Sequence, residues 1–128
     1  MDIEQIRLYC LAKPETSESF PFDEDTLVFK VCNKIFALVS LDEYPPRINL
    51  KAEPEKAIYL RDVYPEIIPG YHMNKLHWNT VILEEHLQSK LIMELIDDSY
   101  QLIVNKLKKI DLIKIKELLN SPDGNTIS

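Results

Sequence analysis

The sequence is poor in the residues that build several common kinds of site. It has only two glycines among 128 residues, Gly70 and Gly124, which excludes a glycine-rich phosphate loop. Its two cysteines, Cys10 and Cys32, lie far apart and match no zinc or redox spacing, so we expect two buried, reduced thiols. No apolar run approaches the roughly 18 residues that span a membrane. The first residues lack the basic and apolar regions of a signal peptide. We therefore predict a cytoplasmic protein.

Catalytic and metal-binding patterns are equally scarce. The chain has no G-x-S-x-G turn and no cysteine protease signature, so we predict that it is not an enzyme and needs no cofactor. His72 and His77 are five residues apart, a spacing that is poor on a helix and places them on opposite faces of a strand. His86 is a third candidate ligand, but no carboxylate completes a recognisable metal frame. We therefore predict no metal site.

The charge is negative overall but unevenly distributed. The net charge is −6, which disfavours a strong non-specific DNA-binding protein. Residues 1–29 carry seven acids and two bases, whereas residues 30–81 carry seven bases and six acids. Residues 104–116 carry five lysines against one acid. An anionic partner must therefore find a local basic patch, and the sequence does not show whether residues 104–116 belong to it.

The pattern of apolar residues predicts an α+β domain. Helices are expected at 2–12, about 54–64, 86–108 and about 111–119. Strands are expected at 26–32 and 35–41, joined by Asn33-Lys34, and at 47–51 and 77–83, with an extended segment at 17–22. Strands in the middle of the chain and helices at its ends favour one antiparallel sheet with helices on one face. We predict a domain over 1–108, followed by a short helix and a frayed tail over 109–128.

The stretch "PGYHMNKLHWNTV", residues 69–81, concentrates polar and aromatic side chains. It has the residue types of a nucleic-acid surface: lysine for phosphates, aromatics for stacking, and amide or imidazole groups for hydrogen bonds. A single tryptophan in a β-rich run is more often part of the core. If Trp78 packs inward, His77 faces outward.

Several motifs together resemble the MmcQ/YjbR family of small bacterial proteins. They are "FPFDEDTLVFKV" (20–31), "NKIFALVSL" (33–41), "LKAEPE" (50–55), "GYHMNKLHW" (70–78) and "SY" (99–100). The resemblance covers about residues 2–107. It implies a frataxin-like (CyaY-like) α+β fold and a "double wing" DNA-binding arrangement. Asn33 stands where many members have glycine, and residues after about 108 have no counterpart that we can assign.

The resemblance and the charge pattern together suggest a site. We predict that it comprises Lys34, Lys51, His72, Asn74, Lys75, His77 and Trp78. The lysines would contact phosphates, and His72, Asn74 and His77 would donate hydrogen bonds. Two hypotheses remain open: a monomeric cytoplasmic DNA-binding protein, or a non-enzymatic module that binds a small anionic ligand or a protein through the same residues.

Overall fold

The computed structural model describes residues 1–71 and 73–119. Within them lie four helices and six strands. The helices are α1 (Ile3–Leu11), α2 (Pro54–Val63), α3 (Ser89–Val104) and α4 (Lys109–Leu119). The strands are β1 (Thr16–Ser19), β2 (Thr26–Val31), β3 (Lys34–Ser40), β4 (Arg47–Lys51), β5 (Ile67–Pro69) and β6 (Trp78–Ile82). No helix in this part of the chain is long and apolar enough to cross a membrane.

The six strands form one antiparallel sheet in the order β1-β2-β3-β4-β6-β5. Alternation along β4 sets its two faces: Ile48 and Leu50 are buried, whereas Arg47, Asn49 and Lys51 are half-buried. The register aligns Ile48 with Val39 of β3 and with Val81 of β6. These apolar side chains therefore share the face that forms the core.

Helices α1, α2 and α3 supply the other half of the core. Ile6 and Cys10 of α1, Leu60 of α2, and Ile92 and Ile96 of α3 are all buried in the cluster that includes the strand residues. Asp2 and Gln5 form the expected capping box at the start of α1. The predicted α+β class with one antiparallel sheet is confirmed.

The hairpin between β2 and β3 turns one residue earlier than predicted. Its two loop residues are Cys32 and Asn33, not Asn33 and Lys34, and both have positive φ (47° and 68°). Positive φ at both positions matches the twist of the flanking strands. The turn carries a half-buried cysteine at its first position, so the expectation that both thiols are buried holds only for Cys10.

Other boundaries also differ from the prediction. The loop expected after α2 contains a short strand, β5, whose three residues are too few to show alternation. The 17–22 segment is strand only as far as Ser19, and Phe20 and Phe22 are exposed beyond it. The long helix α3 is shorter at both ends than the predicted 86–108. The tail beyond residue 119 lies outside the described residues.

Ser99 of α3 joins two strands of the sheet. Its hydroxyl, which is completely buried, donates to the carbonyl of Phe36 in β3 (2.6 Å) and accepts from the amide of Lys51 in β4 (2.9 Å). A mid-helix serine ordinarily bonds back to its own helix, and that expectation is wrong here. The hydroxyl bridges the strands just past Ala37 and Leu50, the last β3–β4 pair in the register at this end.

Candidate functional site

One end of the sheet gathers most of the predicted site residues. β3 begins there with Lys34, β4 ends there with Lys51, and β6 begins there with Trp78, directly opposite Lys51. The β5–β6 loop, residues 70–77, lies at the same end and carries Lys75. Neighbouring strands are about 4.8 Å apart, so these side chains start from adjacent positions. We call this region the lysine end of the sheet.

An open cavity of about 670 Å³ lies beside Lys34. Its wall comprises the start of β1, the β2–β3 turn, and the junction between α3 and α4. Four lysines line it, and we call it the lysine cavity; they are Lys34, Lys106, Lys108 and Lys114. The other polar side chains in its wall are Glu15, Thr16, Ser17, Cys32, Asn33 and Asp111. The lysine-rich segment therefore does reach one of the predicted residues.

Lys51 connects the two parts of this region. Its ammonium group lies beside that of Lys106, and the pKa of Lys51 is lowered, first by partial burial and then by this neighbour. Both causes disfavour the charged form of Lys51. Two adjacent ammonium groups are an arrangement that a bound anion would stabilise.

The β5–β6 loop is held by its own backbone and by short polar contacts. The Gly70 amide donates to the carbonyl of Trp78 (2.9 Å), and a Cβ at Gly70 would lie 2.9 Å from the Trp78 Cβ, so only glycine fits there. The Tyr71 amide donates to the Thr80 hydroxyl (3.0 Å). The Asn74 side-chain oxygen accepts from the amide of Leu76 (2.9 Å). Part of the sequence signature is thus structural.

The remaining predicted residues divide between the surface and the edge of the fold. Asn74 and Lys75 are exposed on the loop, and His77 is half-buried. Trp78 is also half-buried. It lies directly opposite Lys51 in the sheet and is not part of the core cluster. His72 lies outside the described residues.

Cys32 is not activated despite the lysines around it. Burial raises the pKa of its thiol, and the nearby carboxylates of Asp111 and Glu15 raise it further, against the opposing effect of Lys114. A thiol with a raised pKa is a weak nucleophile at neutral pH. The described residues also hold no group of three metal-ligating side chains. The arrangement favours reversible binding of an anion.

Sequence reasoning missed three residues of this region. Lys106, Lys108 and Lys114 were recognised as a basic run but could not be assigned to the site. The signal was their charge density, five lysines in thirteen residues, but nothing in the pattern showed where the chain turns after α3. The structure brings this run to the β2–β3 turn, more than seventy positions earlier in the chain.

Comparisons with known proteins identify the family. A sequence model of the YjbR family matches residues 11–102. The protein YbdF of Escherichia coli O157:H7 is 39% identical over 113 residues, which cover 88% of this chain and 93% of YbdF. The protein YjbR of Escherichia coli K12 is 39% identical over 107 residues, which cover 84% of this chain and 91% of YjbR. Both relatives are described as uncharacterized.

Solved structures agree with this assignment. A crystal structure of a Deinococcus radiodurans protein superimposes with a TM-score of 0.83 at 38% identity, covering 89% of this chain and 87% of that one. A solution structure from Pseudomonas syringae gives a TM-score of 0.67 at 35% identity, covering 80% of this chain and 92% of that one. Sequence and fold therefore agree over most of the length, and the chain belongs to the YjbR family.

Proposed function

We propose that this chain is a non-enzymatic DNA-binding protein that contacts phosphates through the lysine end of the sheet. The observation that carries the proposal is the strand register, which brings Lys34 and Lys51 to the same end as the loop that holds Lys75. The β2–β3 turn and the β5–β6 loop flank this end, with β4 between them. Two loops flanking a lysine suit contacts to successive phosphates of a strand.

The neighbouring polar groups support recognition beyond charge. Asn74 is exposed. Its side-chain oxygen accepts from the Leu76 amide within the loop, so its NH₂ group is the proposed donor to DNA. His77 is half-buried next to Trp78, where an imidazole can donate to a phosphate or a base edge. His72 belongs to the same proposal by its sequence position. Trp78 presents an aromatic side chain on the same face as Lys51.

The negative net charge of the protein limits the expected affinity for DNA. With a net charge of −6, long-range attraction to DNA is absent, so binding depends on close contacts at the lysine end. We expect weak affinity and a clear salt dependence. Three phosphate contacts would give a slope of about −2.7 in log K against log salt, or about a 40-fold loss between ~50 and ~200 mM.

A second candidate function is supported by the contact between Lys51 and Lys106. This pair, together with the histidines, would suit a compact carboxylate or phosphate, or an acidic segment of a protein partner. A single small anion gives a much shallower salt dependence than duplex DNA. The slope therefore separates the two candidates.

The remaining family expectations belong to the same proposal. We propose, with it, that the fold is frataxin-like and that the protein is cytoplasmic and monomeric. We also propose that it has no catalytic, metal or cofactor site. The support is the family membership together with the one-sheet architecture.

Fluorescence anisotropy with a labelled random duplex at two salt concentrations tests this proposal. The wild type is compared with Lys34→Ala/Lys51→Ala/Lys75→Ala. We expect binding that falls with salt and is lost in the triple variant, because the variant removes the three proposed phosphate contacts.

The matched control is Lys90→Ala/Lys109→Ala/Lys116→Ala, which removes the same charge from three exposed lysines outside the proposed contacts. The control should retain most of the binding. An equal loss in both variants would show that only net charge matters. Absence of binding at tens of micromolar protein in low salt would contradict DNA binding altogether.

A further inference from the structure

The four lysines of the lysine cavity lack carboxylate partners. Among the described residues, none of Lys34, Lys106, Lys108 and Lys114 forms an ion pair or a side-chain hydrogen bond with an acid. Two acids, Glu15 and Asp111, lie in the same wall and offset part of the charge, so that four lysines face two carboxylates. The cavity therefore concentrates positive charge in a concave space on an otherwise acidic protein.

The start of α4 adds to this field. The helix begins at Lys109, immediately after the cavity residue Lys108, and runs for eleven residues. The amides of Asp111 and Leu112 in its first turn donate to the carbonyl of Lys108, and the N-terminal end of the helix dipole is positive. Helix start and lysines therefore favour an anion in the same place.

The composition of the wall indicates what kind of anion fits. None of the described residues that line the cavity is aromatic, so none of them can stack on a nucleobase. The other polar groups, Thr16, Ser17 and Asn33 with the two acids, can exchange hydrogen bonds with hydroxyl groups. The volume of about 670 Å³ lies within the range of small-molecule sites, about 300–1,000 Å³.

We propose that the lysine cavity binds a compact, multiply phosphorylated small molecule, such as a sugar bisphosphate, rather than a nucleotide. Four ammonium groups from three parts of the chain can contact two phosphates at once, which one or two surface lysines cannot. The hydroxyl, amide and carboxylate groups of the wall would bind the ligand's hydroxyls.

This site is separate from the one proposed for DNA. Three of its four lysines, Lys106, Lys108 and Lys114, follow residue 102, the last residue matched by the family model. The inference therefore rests on this chain's own C-terminal segment. Lys34 is shared with the DNA proposal and Lys106 with the second candidate function, so the test pairs Lys106 with Lys114, which belongs to neither.

Isothermal titration calorimetry of the full chain at low ionic strength provides the test. The probes are inorganic tripolyphosphate and fructose 1,6-bisphosphate, and the variant is Lys106→Ala/Lys114→Ala. We expect both probes to bind the wild type, and the variant to bind about tenfold to hundredfold more weakly, because two charge-assisted contacts are lost.

The matched control is Lys109→Ala/Lys116→Ala, which removes the same charge from the same segment but from residues outside the cavity wall. It should weaken binding less than about threefold, as expected for a change in screened surface charge. An equal loss in the two variants would overturn the proposal in favour of diffuse charge. The proposal is also overturned if neither probe binds the wild type at millimolar concentration.

A second measurement does not depend on any variant folding. Titration of the ¹⁵N-labelled wild type with tripolyphosphate should shift the amide resonances of Thr16, Ser17 and Asn33, which lie in the cavity wall. Shifts confined to the β5–β6 loop, residues 70–77, would overturn the proposed location.

Discussion

The middle of α3 and its C-terminal end differ in how their polar side chains are paired. In the middle, the Ser99 hydroxyl bridges β3 and β4, and the Tyr100 hydroxyl donates to the carbonyl of Pro14 (2.7 Å). The neighbouring acids are also engaged: Asp97 pairs with Lys13, and Asp98 pairs with Lys56, each at 2.5 Å. Polar groups here find their partners within the chain.

At the C-terminal end the lysines meet each other instead of acids. Lys106 lies beside Lys51, and Lys108 lines the cavity with Lys34. Opposite charges close to Lys56 raise its pKa, whereas burial and a like charge lower the pKa of Lys51. Like charges therefore lie close together at one end of α3, whereas Asp97 and Asp98 in its middle are paired with lysines.

The difference separates groups that hold the fold from groups that are open to a ligand. Unpaired like charges do not stabilise the folded chain, and the proposed binding sites lie where these charges are found. Mutations in the two regions should therefore differ in the property that they change.

Removing the Ser99 hydroxyl should have the largest effect on stability. Ser99→Ala leaves the Phe36 carbonyl and the Lys51 amide without a partner where they meet the buried helix. We expect the free energy of unfolding to fall by about 3 kcal/mol, since each unsatisfied buried group costs about 1–3 kcal/mol. Urea denaturation measures this change.

The control for this prediction is Ser89→Ala, at the exposed start of the same helix. It should change the free energy of unfolding by less than about 0.5 kcal/mol. If Ser99→Ala has an equally small effect, the hydroxyl does not join the two strands in solution.

Tyr100 should show a smaller loss that depends on pH. Tyr100→Phe keeps the edge-to-face contact with Phe36 but removes the hydrogen bond to Pro14. We expect a loss of about 1 kcal/mol at pH 7. Urea denaturation of wild type and variant at pH 7 and at pH 11 measures both the loss and its pH dependence.

The sign of this dependence follows from the pKa of the phenol. Burial, with the nearby Cys32 and Glu15, raises the pKa of Tyr100 from 10.0 to about 12. Above pH 10 the unfolded chain therefore releases its proton first, so stability that is complete below pH 10 is lost as pH approaches 12. The variant has no phenol at this position, so its loss in the free energy of unfolding relative to the wild type should be smaller at pH 11 than at pH 7. A deficit that stays constant would contradict the raised pKa.

The fold was predictable wherever local pattern and packing agree. The strand predicted at 47–51 is confirmed, and its alternation buries Ile48 and Leu50 together; the helix predicted at 2–12 is also confirmed, with Asp2 and Gln5 capping its start. The short β5 was missed because three residues are too few to show an alternation of apolar and polar side chains. Its pairing with β6 is a tertiary contact that the local sequence does not reveal. The β2–β3 turn begins at Cys32, which has a positive φ. The residue type does not predict this conformation, so the turn was expected one residue later.

The candidate site was predictable only in part. Lys34 and Lys51 were selected by resemblance to the family, and strand register places both at one end of the sheet. Lys106 and Lys114 were not selected, because their approach to Lys34 depends on where α3 ends and how α4 turns back. Sequence patterns report the period of a helix more reliably than the angle between two helices.

The smallest expected effects compare a paired lysine directly with an unpaired one. Lys56→Ala breaks the ion pair with Asp98, whose two side chains are 40% and 38% exposed. Solvent screening limits the expected loss in the free energy of unfolding to about 0.5 kcal/mol.

Lys106→Ala removes the repulsion on Lys51. The free energy of unfolding should therefore stay constant or rise by up to ~0.5 kcal/mol, while the pKa of Lys51 rises toward 10.5. Urea denaturation and an NMR titration of the lysine side chains measure these two quantities, with Lys109→Ala as the control for loss of an exposed lysine in the same segment. If Lys106→Ala destabilises the chain as much as Lys56→Ala does, Lys106 contributes to the fold in the same way as the paired lysines, and the distinction between the two regions of α3 fails.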